Sequence, residues 1–109
     1  MHELAIAESV VSSVLERTEG RTVSIVRLRL GKLSGVVPDA LMFCFELATA
    51  GTPLQGSTLE IDVEDGRAHC RTCGVDFVLE DAFLLCGCGS ADVQVRSGRE
   101  LMVTSVEVG

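Results

Sequence analysis

Tryptophan and tyrosine are absent from this chain, and its only aromatic residues are four phenylalanines. Basic residues are also scarce: nine stand against sixteen acidic ones, for a formal charge of -7. Both deficits point away from nucleic acid. Phosphate backbones are bound by clustered Lys and Arg, and single strands stack on aromatic rings. No long apolar run occurs, and no basic segment opens the N-terminus, so neither a membrane span nor a secretion signal is expected. No Ser-His-Asp set, phosphate loop or carboxylate pair is visible, which argues against an enzyme. The expected address is the cytoplasm, with no membrane partner.

Cysteine is plentiful by contrast, with five in 109 residues. Four fall in one short segment: Cys70-Arg71-Thr72-Cys73, twelve residues, then Cys86-Gly87-Cys88. Two cysteine pairs joined by a spacer form the layout of a four-thiolate zinc site, each pair on a tight turn and the two turns facing. Gly74 and Gly89 follow the pairs, where glycine lets the turn close and aims backbone amides at sulfur. The second pair has one intervening residue instead of two, and Gly87 is expected to compensate. Four thiolates leave no open coordination position, so the zinc reads as structural. The sharper alternatives are a redox switch that releases zinc on oxidation, and a zinc-ribbon interaction module. Without a secretion signal, five cysteines fit a reducing compartment. A chain this short buries only roughly 60–70% of its unfolded surface, so a metal staple is physically sensible.

The rest of the chain reads as a small α+β body. Residues 3–18 have the spacing of an amphipathic helix, with Leu4, Ala7, Val11 and Val14 on its buried stripe and Gly20 as its stop. Residues 22–30 alternate as a strand, Val26, Leu28 and Leu30 inward and Arg27 and Arg29 outward. Pro38 opens a second helix, apolar on nearly every side, which predicts deep burial or a partner. Residues 58–64 form a second strand, with Leu59, Ile61 and Val63 inward, and Asp65-Gly66 a turn. Residues 100–108 form a last strand. A lone strand is unstable, so it should join the sheet of the other two. The expected architecture is therefore a sheet of about three strands with two helices, residues 1–66 and 96–109, interrupted by a zinc-ribbon-like module at 67–95. Phe77, Val78, Phe83, Leu84 and Leu85 are expected to pack around the metal.

Other candidates have simpler readings. His2 places an α-amino nitrogen, a backbone amide and an imidazole in one chelate, a planar nitrogen set of the kind Ni²⁺ and Cu²⁺ favour. By position alone it reads as an exposed helix start. His69 adjoins Cys70 and reads as exposed or supporting a ligand. Cys44 reads as a buried thiol, and Asp39 as an acid favourably placed near a helix N-terminus.

Taken together, Met1-His2-Glu3-Leu4, Leu28-Arg29-Leu30-Gly31, Pro38-Asp39-Ala40-Leu41 through Phe45-Glu46, Gly51-Thr52, Leu59-Glu60-Ile61 and the cysteine pairs with Gly89-Ser90 resemble the HypA/HybF family. That family comprises nickel metallochaperones of [NiFe]-hydrogenase maturation. The resemblance implies a nickel-binding α/β domain with a zinc domain inserted before its last strand. It implies weak Ni(II) binding by the Met1 amine, the His2 side chain and the amides of His2 and Glu3, with Asp39 able to contribute. It implies structural Zn(II) at Cys70, Cys73, Cys86 and Cys88. The implied partners are a HypB-type GTPase and the hydrogenase large subunit, and the chain is expected as a monomer or weak homodimer. Cys86-Gly87-Cys88 departs from the family, which usually has two residues between these cysteines.

Overall fold

In a computed structural model, residues 2–79 and 83–109 are described. The elements run α1 (Glu3–Thr18), β1 (Val23–Gly31), a single 3-10 turn (Lys32–Ser34), α2 (Pro38–Thr49), β2 (Thr58–Glu64), β3 (Gly66–Cys70), β4 (Asp76–Leu79), β5 (Val93–Ser97) and β6 (Leu101–Val108). They form two three-stranded sheets, ordered β2-β1-β6 and β4-β3-β5. The last strand thus joins the sheet built from the first two, as the instability of a lone strand requires.

The chain divides into two compact units. The first comprises Met1–Leu28, Val36–Asp62 and Met102–Gly109. Its core is aliphatic: Ala7, Val10, Val11 and Val14 of α1, Val23, Val26 and Leu28 of β1, Leu41 and Phe45 of α2, and Leu54 and Leu59. The helices pack against each other through these stripes. Helix α1 ends where Glu19 and Gly20 take left-handed conformations (φ 54° and 76°). Helix α2 begins at Pro38, whose missing amide costs nothing in a first turn. On the wet face, Arg27 bridges Glu60 of β2 and Glu107 of β6, each at 3.0 Å. The two carboxylates hold its guanidinium above its ordinary pKa, Glu107 first.

The second unit comprises Arg29–Gly35 and Val63–Leu101. Strand β3 is central and antiparallel to both neighbours, pairing His69 with Asp76 of β4 and Cys70 with Val93 of β5. An irregularity between Arg67 and Ala68 shifts the β5 register.

Several side chains lie elsewhere than their spacing predicts. Leu4 and Val63 are exposed, not inward; each sits near the end of its element, where less of the sheet or helix lies over it. Gly66 begins β3 instead of closing a turn. Helix α2 buries only one stripe, leaving Met42, Phe43 and Leu47 exposed, and Cys44 is half-buried. Val78, Phe83, Leu84 and Leu85 are exposed and Phe77 is half-buried. The cysteine segment is too short to fold a core over all five.

Candidate metal centre

The four cysteines converge. Cys70 ends β3, Cys73 closes the turn after it, and Cys86 and Cys88 stand on a second turn before β5. Their sulfurs all lie within 4.8 Å of one another. Cys70 Sγ is 3.8 Å from Cys88 Sγ, and Cys73 Sγ is 3.6 Å from Cys86 Sγ. Zinc–sulfur bonds of about 2.3 Å in a regular tetrahedron would separate the sulfurs by about 3.8 Å, so the donor set fits such an ion. Cys70 and Cys86 are buried, whereas Cys73 and Cys88 face solvent.

Backbone hydrogen bonds shape each turn. The Gly74 amide donates to the Cys70 carbonyl at 2.9 Å, and the Cys73 amide points at Cys70 Sγ at 3.5 Å. In the second turn the Gly89 amide donates to the Cys86 carbonyl, and the Cys86 amide to the Ser90 carbonyl, both at 2.9 Å. Gly74 and Gly89 adopt φ of 77° and 92°, which only glycine takes readily. Gly87 does not: its φ lies outside that region, and an added Cβ would meet nothing within 4 Å. The single residue between Cys86 and Cys88 thus needs no left-handed backbone, contrary to the conformational role expected of Gly87.

The electrostatics call for a cation. The Cys73 and Thr72 amides, together with the neighbouring thiols, outweigh burial and lower the Cys70 thiol from 9.0 to about 6. At Cys86 the Cys88 amide pulls downward, but burial and the Cys73, Cys88 and Cys70 sulfurs prevail and push it up to about 12. Four sulfurs at this spacing cannot all ionise alone, because like charges disfavour one another. A divalent ion bound by Cys70, Cys73, Cys86 and Cys88 would remove the conflict, with all four as thiolate ligands.

Polar contacts that sequence reading missed tie the two turns together. Thr72 Oγ1 and Ser90 Oγ are 2.7 Å apart, and Arg71 pairs with Asp92 at 2.9 Å. Their signal was weak: each is an ordinary polar residue within four positions of a cysteine. His69 Nδ1 lies 2.7 Å from Asp76 Oδ1 on the neighbouring strand, so the imidazole is engaged beside the cluster and is not part of it.

The other candidates lie apart in sequence from this cluster. His2 is exposed at the N-cap of α1, where its carbonyl accepts from the Ile6 amide at 3.2 Å and its side chain makes no capping hydrogen bond. Glu3 is the first residue of α1, and Asp39 stands exposed in the first turn of α2. Met1 lies outside the described residues. Among the described residues, no other group of His, Cys, Asp and Glu is arranged to hold a metal, and no helix is long and apolar enough to cross a membrane.

A family model described as "Hydrogenase/urease nickel incorporation, metallochaperone, hypA" matches residues 1–108. The chain is 45% identical over 109 residues to Hydrogenase maturation factor HypA of Geobacter metallireducens, covering 99% of each protein. It is 44% identical over 108 residues to the protein of that name from Trichormus variabilis, covering 99% of this chain and 96% of the relative. Among solved structures, the solution structure of the Ni metallochaperone HypA from Helicobacter pylori aligns with a TM-score of 0.68 at 20% identity, over 99% of this chain and 97% of that one. That last likeness is one of fold.

Proposed function

Because the chain belongs to the HypA family of hydrogenase/urease nickel-incorporation metallochaperones, we propose that it carries Ni(II) as cargo at its N-terminus and delivers it for [NiFe]-hydrogenase maturation. The ligands are the Met1 amine, the His2 imidazole and the amides of His2 and Glu3, with Asp39 as a further oxygen donor. Cys70, Cys73, Cys86 and Cys88 hold a structural Zn(II), which supplies folding energy and no chemistry. The protein is not an enzyme. It works in the cytoplasm with a HypB-type GTPase and the hydrogenase large subunit, and the nickel-carrying part is the discontinuous first unit, Met1–Leu28, Val36–Asp62 and Met102–Gly109.

One observation carries the nickel reading beyond family membership. The His2 side chain is exposed and takes no part in capping α1, so its imidazole is available to an ion. A chelate of terminal nitrogens suits transfer, because few rigid side chains need to be released when the ion leaves. Its affinity falls with acid, since amine and imidazole coordinate only when deprotonated.

Calorimetric nickel titration of untagged, zinc-loaded protein tests the proposal. One Ni(II) per chain should bind, and His2→Ala should abolish that site with zinc content and melting unchanged. Undiminished nickel binding in His2→Ala would move the site elsewhere.

A further inference from the structure

The segment Arg29–Gly35 comprises the last three residues of β1 and the turn that follows, yet it groups with the cysteine-bearing unit. Its contacts explain why. The Gly31 amide donates to the Glu100 carbonyl at 2.8 Å, and the Leu33 amide to the Gly98 carbonyl at 2.7 Å. Lys32 Nζ lies 2.7 Å from Asp65 Oδ1, and Arg29 Nε 3.6 Å from Glu64 Oε1. Ser97 Oγ donates to the Asp65 carbonyl at 3.2 Å, joining the two chain passages that receive the segment.

Three glycines make this approach possible. A Cβ on Gly31 would lie 2.0 Å from the Gly98 carbonyl oxygen. A Cβ on Gly98 would lie 2.5 Å from Gly66 Cα, and Gly98 also holds φ at 105°. A Cβ on Gly66 would strike the Leu33 side chain at 2.7 Å. Backbones this close admit no side chain at Gly31 or Gly98, and at Gly66 a Cβ would force the Leu33 side chain to shift, so the crossing is a tightly specified joint.

The joint stands at one end of a short sheet and the cysteines at the other. Strand β3 runs from Gly66 to Cys70, and β5 runs back from Val93, opposite Cys70, to Ser97 beside Gly98. At about 3.3 Å per residue the joint and the cluster are only four rises apart along β3. Loss of the β3–β5 pairing removes the Gly66 and Gly98 surfaces on which Gly31 and Leu33 rest.

We propose that Arg29–Gly35 is a strap whose order is set by the metal-holding cysteine turns, through β3 and β5 and the Gly31–Gly66–Gly98 crossing. The inference rests on the structural metal proposed above. Coupling is reciprocal: a metal that orders the strap is itself held more tightly by it.

The test is amide hydrogen exchange of the zinc-loaded full chain before and after chelation, together with zinc transfer to a chromogenic chelator. Chelation should raise exchange in residues 29–35 along with the cysteine turns, leaving α1 unchanged. Gly98→Ala should speed zinc transfer about tenfold, within the usual range of coupling between sites. Leu33→Ala, which removes a contact without backbone strain, should act in the same direction if Gly98→Ala fails to fold. Protection persisting in 29–35 while the cysteine turns open would overturn the strap and leave the structural zinc intact. Raised exchange in 29–35 of folded Gly98→Ala or Leu33→Ala with unchanged zinc transfer would also overturn it. Cysteine turns that stay protected after verified zinc loss would sink the structural-zinc reading and the strap with it.

Discussion

Stripping the metal from the cysteine cluster should unfold the segment around it and spare the helices. Among the described residues from Val63 to Leu101, the buried apolar side chains are Ala68, Cys70, Leu79 and Cys86. Two of these are the cluster's own sulfur ligands. Leu79 is the one large aliphatic side chain, and burying such a group contributes about 1.5–3 kcal/mol. Fixing the backbone of a single residue costs about 1–2 kcal/mol. Leu79 therefore offsets the ordering of only one or two residues in a segment that forms three strands. A structural zinc in a small domain contributes about 10–16 kcal/mol, several times what that burial supplies. The first unit stands on a different footing, since both helices and β1 bury a continuous aliphatic core. After chelation at neutral pH, with zinc loss verified by elemental analysis, amide protection in β3, β4 and β5 should disappear. Helical circular dichroism and one cooperative melting transition should remain. A metal-free protein that kept protection in β3–β5 would refute the reasoning, as would one whose helices melted together with the cysteine segment.

Three further outcomes follow from particular contacts. Gly89→Ala should weaken zinc retention by about 1–2 kcal/mol, the cost of a left-handed backbone in a residue with a Cβ, while Gly87→Ala should leave it unchanged; equal effects in a chelator competition would contradict this. Truncation after Gly98 removes β6 from its place beside β1 and should lower the melting temperature of the helical body; an unaltered transition would show that β6 is dispensable. Lys32 holds the Asp65 carboxyl below its ordinary value, so this pair stabilises the folded state above about pH 4, the unfolded carboxylate value, and the contribution fades as pH falls through the lowered folded value. The stability gap between wild type and Asp65→Asn should therefore close in acid, and a gap independent of pH would exclude the pairing.

The two helices and the first sheet were legible because each has enough length for its period to show. Ala7, Val11 and Val14 recur at helical spacing, Val26, Leu28 and Leu30 alternate, and Pro38 marks the entry of α2. The four sulfurs were legible because ligand spacing is a local property. Strands β3, β4 and β5 were not read, since four or five residues carrying His69, Arg67, Asp76 and Gln94 offer no clean alternation. Their hydrogen bonds, with the cysteine turns beside them, define them better than apolar burial does. The glycine crossing was equally hidden. Gly31 and Gly98 are far apart in the chain, and their need to lack a Cβ appears only where the backbones meet. Exposure of Phe83, Leu84 and Leu85 was missed for a related reason: an apolar triplet looks like core, and its exposure appears only in three dimensions.

The central claim is that the chain's own N-terminus carries nickel, and one added residue tests it most directly. Extending untagged protein by a single residue before Met1 displaces the α-amino group from the chelate while leaving His2, Asp39, the cysteines and the fold in place. Nickel titration of the two zinc-loaded proteins should show one Ni(II) bound per wild-type chain, with affinity falling as the imidazole and amine protonate, and markedly weaker binding in the extended form. Equal stoichiometry and affinity in both would contradict the terminal chelate and place the cargo site elsewhere in the protein.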